Sequence, residues 1–214
     1  MKSRKCVSGH CHHCAEPDPE EDFSLPPIII PPGPPQIRTI GLYGDIGPEK
    51  GMETVYSLFA MRETGREIDP ETEEEFIEPI EFIICTGGGS AADMFAIYDS
   101  MRVVREDCEI GTLGLGEVMS AGVLLLASGT KGRRRIGANC RLMLHSVSAG
   151  HHGSIYSLEN EFDEFKWMQD RYFAALARES KLKKRQIKKI LDQKMNVYFD
   201  AEQALKYGIV DEII

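Results

Sequence analysis

Short apolar runs and amphipathic stretches alternate along most of this chain, and the alternation predicts its elements. Thr39-Ile40-Gly41-Leu42-Tyr43 reads as a strand closed by Gly44-Asp45, and Met52 to Met61 reads as an amphipathic helix. Glu81-Phe82-Ile83-Ile84-Cys85 is a second apolar strand that runs straight into Thr86-Gly87-Gly88-Gly89-Ser90. Met94, Ile97, Tyr98 and Met101 then fall on one side of a helix over 91–105. The cycle repeats, with Ile110 to Leu115 as strand, Ser120 to Ala127 as an apolar helix-capable stretch and Arg141 to His145 as strand. Strand and helix in this succession predict an α/β domain of stacked βαβ units.

The next pattern is longer. Ile155, Leu158, Phe162, Phe165, Met168, Tyr172 and Leu176 recur at three- and four-residue steps, predicting one helix from about Ser154 to Arg178. Its apolar stripe is long for one domain to cover, which predicts packing against another subunit. Near the end, Asp200-Ala201-Glu202-Gln203 has the form of a capping box, Gly208 is a helix stop, and Ile209 to Ile214 reads as a closing strand. Two regions break the rhythm. Residues 67–80 carry seven acids and no base, with Pro70 and Pro79 as punctuation, a surface insertion spanning about 66–80. Residues 1–36 end in a run of prolines that forbids ladder and helix hydrogen bonds, so this tail is expected to be extended or disordered, with the domain beginning at residue 37.

Composition narrows the class. With 42% hydrophobic and 28% charged residues in a chain of 214, one core of ordinary size is expected. A formal net charge of −9 argues against nucleic-acid binding, and the six bases between Lys181 and Lys189 read as a solvated helix face. No stretch reaches the roughly 18 to 20 apolar residues of a membrane span, and no apolar h-region follows the basic start. Cys85, Cys108 and Cys140 stand singly, as small hydrophobes do in a reducing compartment, so a cytoplasmic location is expected.

Three features could carry chemistry. Ser120, in Gly116-Glu117-Val118-Met119-Ser120-Ala121-Gly122, lies where a strand meets an apolar helix, so backbone N–H groups lie nearby to receive an oxyanion. A plain N-cap serine would occupy the same place. Gly87-Gly88-Gly89 lets backbone N–H groups approach a ligand, although a tight turn would use the same residues. His145 ends an apolar strand and could be a general base or a structural histidine. Together they supply a nucleophile, a base and amide donors.

These residues resemble a known family. Gly87-Gly88-Gly89-Ser90, Met119-Ser120-Ala121-Gly122, Ala127-Ser128-Gly129-Thr130-Lys131-Gly132-Arg133-Arg134, Asn139 to His145 and the closing Ala201 to Asp211 are similar, in unbroken order, to the Clp protease proteolytic subunit (ClpP) family of serine peptidases. The resemblance implies a crotonase-like α/β fold with a long handle helix, here the one from Ser154. It implies stacked heptameric rings, a homo-oligomer that cuts polypeptides inside a chamber. An AAA+ unfoldase would deliver them and consume the ATP, so this chain would need no cofactor. By position, Ser120 would be the nucleophile and His145 the base, with the N–H groups of Gly88 and Ala121 forming the oxyanion hole.

The departures are also informative. Counting back five residues from Ala201, where the family has its aspartate, gives Asn196; Asp192 lies four residues earlier and could replace it. An asparagine can accept a hydrogen bond from His145 but cannot offset its charge. This leaves room for a weakly active scaffold subunit in a mixed ring. Gly87 replaces a usual proline, and Ser146-Val147 replaces an expected Gln-Pro. A crotonase-type acyl-CoA enzyme is the remaining alternative, with Glu117 as its candidate base. Cys6, His10, Cys11, His12, His13 and Cys14 could meet a metal, but no second ligand pair accompanies them, and no metal site is expected.

Overall fold

In the computed structural model, which describes residues 37–148, 150, 152–191 and 196–214, five strands run parallel and share one direction of exit. They are β1 (Thr39–Tyr43), β4 (Ile80–Thr86), β5 (Ile110–Met119), β6 (Arg134–Ile136) and β9 (Glu212–Ile213), adjacent in that order. The helices between them are α1 (Pro48–Thr64), α2 (Ala91–Val104), α3 (Ala121–Ala127), α4 (Ile155–Glu179), α5 (Lys184–Leu191) and α6 (Ala201–Lys206). This is the mixed α/β fold expected for the Clp-type architecture. The tail, its Cys/His cluster and Asp192 lie outside the described residues.

β4 is the spine of the sheet. Its alternating burial sends Ile80, Phe82 and Ile84 into the core, where Met101, Ile97 and Leu58 meet them. α3 is buried at every position, which suits an all-apolar segment with no charge to keep wet. α4 differs along its length: Tyr172, Phe173, Ala175 and Leu176 are buried, whereas Ile155, Leu158 and Phe162 nearer its start are exposed. The six bases noted above divide around the amphipathic α5, which buries Ile187 and Leu191.

Several elements depart from expectation. β5 does not end at Leu115. Its first half pairs with β6, and then Gly116, at φ 63, lets it bend and pair onward with β7 (Arg141–Leu144) through Glu117, Val118 and Met119. β6 and β8 (Val197–Phe199) are new; each has three residues, too few for alternation to register. The closing strand shrinks to two residues. The acidic insertion is an exposed antiparallel ribbon, β2 (Arg66–Ile68) with β3 (Glu75–Ile77), whose turn is tied by Asp69 accepting the N–H groups of Glu71 and Thr72 at 2.8 and 2.9 Å.

Candidate active site

Because β4, β5 and β7 run parallel, their carboxyl ends reach the same edge of the sheet. The loops that follow are Gly87-Gly88-Gly89, Ser120 and His145. Ligands in open α/β sheets bind at such an edge. Here Ser120 and His145 both line one cavity of about 480 Å³, together with Gly89, Ala121, Tyr172 and the apolar Met94, Phe95, Phe165 and Met168.

Ser120 is not an ordinary N-cap. Its side chain makes no capping hydrogen bond, and its backbone sits at φ 52, ψ −115, mirror-image territory normally left to glycine. Strain of this kind costs about 1–3 kcal/mol and persists only where neighbours hold it. On one side Ser120 N–H donates to Met143 C=O at 2.7 Å. On the other, Tyr172 O–H donates to Ser120 C=O at 2.9 Å. Burial pushes the Tyr172 phenol up, so it stays a neutral donor. The result is a sharp turn that places Ser120 on the cavity wall at the mouth of the sheet, with Ala121 N–H, the first donor of α3, meeting no acceptor among the described residues.

The glycine loop approaches closely. A Cβ on Gly88, at φ 100, would lie 2.8 Å from Ser120 Cβ, so no side chain fits there. Its own N–H is already used: it donates to Thr86 Oγ1 at 3.0 Å, while Thr86 O–H donates to Gly44 C=O at 2.6 Å. Gly88 C=O accepts from Ile46 N–H at 2.7 Å. The next residue is different. Gly89 lines the cavity, and its N–H meets no acceptor among the described residues. A side chain there would strike Ile46 C=O at 2.1 Å. Sequence reasoning missed this donor because position in a glycine run does not show which amide turns outward.

Asn196 is exposed and just precedes β8. The antiparallel ladder pairs Leu142 with Phe199, Met143 with Tyr198 and Leu144 with Val197, and the same register carried one step past its end would bring His145 level with Asn196. Directly opposed residues share a face. Among the described residues no hydrogen bond joins the two, and none of those lining the cavity is a carboxylate. Glu117 is exposed and does not line it. Cys108 and Cys140 are buried, and burial pushes the Cys140 thiol up to about 12, which makes it a core residue and not a nucleophile. Among the described residues no group of three or more metal-ligating side chains gathers, and no helix is long and apolar enough to cross a membrane.

Comparison with known proteins decides the family. The Clp protease profile matches residues 71–214. The chain belongs to the Clp protease family. Its serine peptidases include the ATP-dependent Clp protease proteolytic subunit of Deinococcus radiodurans, 33% identical over 147 residues, which is 69% of this chain and 69% of that protein. Proteolytic subunit 2 of Frankia casuarinae is 36% identical over 135 residues, 63% of this chain and 60% of its own length. Subunit 2 of Corynebacterium jeikeium is 35% identical over 135 residues, 63% of each chain. The chain thus spans about 60 to 69% of the length of these relatives. The Clp profile begins within the acidic insertion, yet β1 and α1 before it belong to the same compact unit, Ile37–Ile214.

In this Clp-family chain, two of the signature segments serve the scaffold. Arg134, 4% exposed, donates through Nε to Asp211 at 2.7 Å and through NH1 to the Glu179 and Gly208 carbonyls at 2.7 and 2.9 Å. The Lys131-to-Arg134 motif and the closing Asp211 therefore bind each other and the end of α4. Neither touches the cavity.

Proposed function

We propose that this chain is the proteolytic subunit of an ATP-dependent Clp-type protease, a serine endopeptidase with Ser120 as nucleophile and His145 as general base. The observation that carries this reading is the strained Ser120 turn facing the same cavity as His145. Ser120 Oγ attacks the scissile carbonyl while His145 takes its proton. The oxyanion is received by two backbone N–H groups. The free amide of Gly89, and the engaged amide of Gly88, support Gly89 with Ala121 in this role in place of Gly88 with Ala121. His145 then returns its proton to the leaving amine, and water, activated by the same imidazole, releases the acyl group.

The apolar walls formed by Met94, Phe95, Phe165 and Met168 suit a large apolar side chain beside the scissile bond. Asn196 is our candidate for the third position: a side-chain rotation that brings its carbonyl to His145 would hold the imidazole tautomer without adding charge. The exposed apolar start of α4 supports assembly with further copies into stacked rings, to which an AAA+ unfoldase delivers unfolded polypeptide in the cytoplasm. ATP is consumed by that partner and not by this chain. The crotonase-type alternative loses its base, since Glu117 does not line the cavity.

Cleavage of a fluorogenic peptide and labelling by a fluorophosphonate test the reading. Ser120→Ala is expected to end labelling and to lower turnover by at least about 10³-fold. An alanine variant that cleaves like its parent would refute the assignment.

A further inference from the structure

One turn of α4 reaches the site at two places. Tyr172, 6% exposed, donates to Ser120 C=O at 2.9 Å. Three residues earlier, Gln169 Oε1 accepts the N–H of Val147 at 3.1 Å. Residues three apart on a helix share a face. One bond therefore holds the turn that carries the serine, and the other holds the segment that carries the histidine.

We propose that Gln169 and Tyr172 act as a two-point clamp that sets the separation of Ser120 and His145, which makes both of them positioning residues for peptide hydrolysis. The proposal rests on the reading of Ser120 and His145 given above. Each anchor holds something that its surroundings leave loose. β7 ends at Leu144, so His145 stands beyond the ladder. Among the described residues, the Val147–Gln169 bond is the one hydrogen bond that holds residues 145–148. It depends on the backbone at 147 having an N–H, which proline would lack. Ser120 occupies strained backbone space, and the Tyr172 hydroxyl fixes the carbonyl on its far side. Both bonds come from one rigid element, so the nucleophile and the base are referred to a common frame instead of to two independent loops. A misplacement of about 1 Å between reacting groups can cost about 10²-fold in rate.

The test uses the full chain, with steady-state cleavage of a fluorogenic peptide, fluorophosphonate labelling and melting temperature measured together. Gln169→Met keeps length and removes the acceptor; Tyr172→Phe keeps the ring and removes the donor. Each is expected to lower kcat and the labelling rate about ten- to hundredfold while KM stays within about twofold. Gln169→Glu retains an acceptor oxygen and is expected to keep kcat within about threefold of the parent. The double variant Gln169→Met/Tyr172→Phe should lose less than the product of the single losses, because both bonds serve one separation. An unchanged kcat in Gln169→Met, an equal loss in Gln169→Glu, or a loss confined to KM would each overturn the clamp. If Tyr172→Phe fails to fold, the Gln169 pair decides alone. These outcomes are separable from failure of the peptidase reading, which shows in Ser120→Ala whatever Gln169 does.

Discussion

An asparagine opposite a catalytic histidine can orient the ring but cannot offset the positive charge that forms on it. The β7–β8 register, carried one step past the ladder, would bring Asn196 to that place, with no carboxylate among the described residues of the cavity wall. In another serine protease, exchanging the triad aspartate for asparagine lowered kcat by about 10⁴, so the reverse exchange has room to help. Asn196→Asp is expected to raise kcat on a fluorogenic peptide by about 10-fold or more with KM little changed. No gain would remove Asn196 as the reason to read this chain as a slow partner in a mixed ring. Single residues were unevenly legible. The proposed nucleophile and base, Ser120 and His145, would act through their side chains, so residue type and order were enough to nominate them. The proposed oxyanion donor is a backbone amide, and which amide is free depends on Thr86 and Ile46, which a one-dimensional pattern cannot bring together.

At the scale of elements, the end of α4 is held by charge. Glu179, 3% exposed, accepts from Tyr98 at 3.1 Å and pairs with Arg105 at 3.2 Å and Lys131 at 3.4 Å. Burial works to raise its pKa, but the Arg105 hydrogen bond, the Arg105 and Lys131 charges and the Tyr98 hydroxyl outweigh it and hold the group below its ordinary value. A carboxylate lowered by folding stabilises the fold above its unfolded pKa, near 4.3, and that stability drains away as pH falls through the folded pKa. Glu179→Gln should therefore cost about 3 kcal/mol at neutral pH, because the half-buried Arg105 is left with an unmatched charge. The gap between parent and variant should narrow in denaturant melts as pH falls below about 4.3 and through the lower folded pKa; a gap that ignores pH would count against the ion cluster. None of this cluster was readable beforehand, since Tyr98, Arg105, Lys131 and Glu179 are distant in the chain. The long helices and β4 were readable because burial imposes a period on many residues at once. β6 and β8 escaped because three residues held by their neighbours leave no period to see.

At the scale of the whole molecule, α4 links an unfinished surface to a finished site. Ile155, Leu158 and Phe162 follow helical spacing and are 72%, 42% and 59% exposed, an apolar stripe that water covers poorly. Farther along the same helix, Phe165, Met168 and Tyr172 line the cavity. The stripe was visible in the sequence as more apolar surface than one domain could bury; only the fold places its continuation beside Ser120. If further copies of the chain cover this stripe, assembly should steady the helix that carries Gln169 and Tyr172. Leu158→Glu/Phe162→Glu should then shift the chain to a smaller species in sedimentation velocity while each subunit keeps its far-ultraviolet circular dichroism. Peptide cleavage and fluorophosphonate labelling should fall together in the smaller species, because the substitutions lie on the exposed stripe and not on the cavity wall. An unchanged sedimentation coefficient would mean that the stripe is not an interface between copies. A smaller species that still labels at the parental rate would mean that assembly and the Ser120 turn are independent, and that α4 holds the site without help from its exposed end.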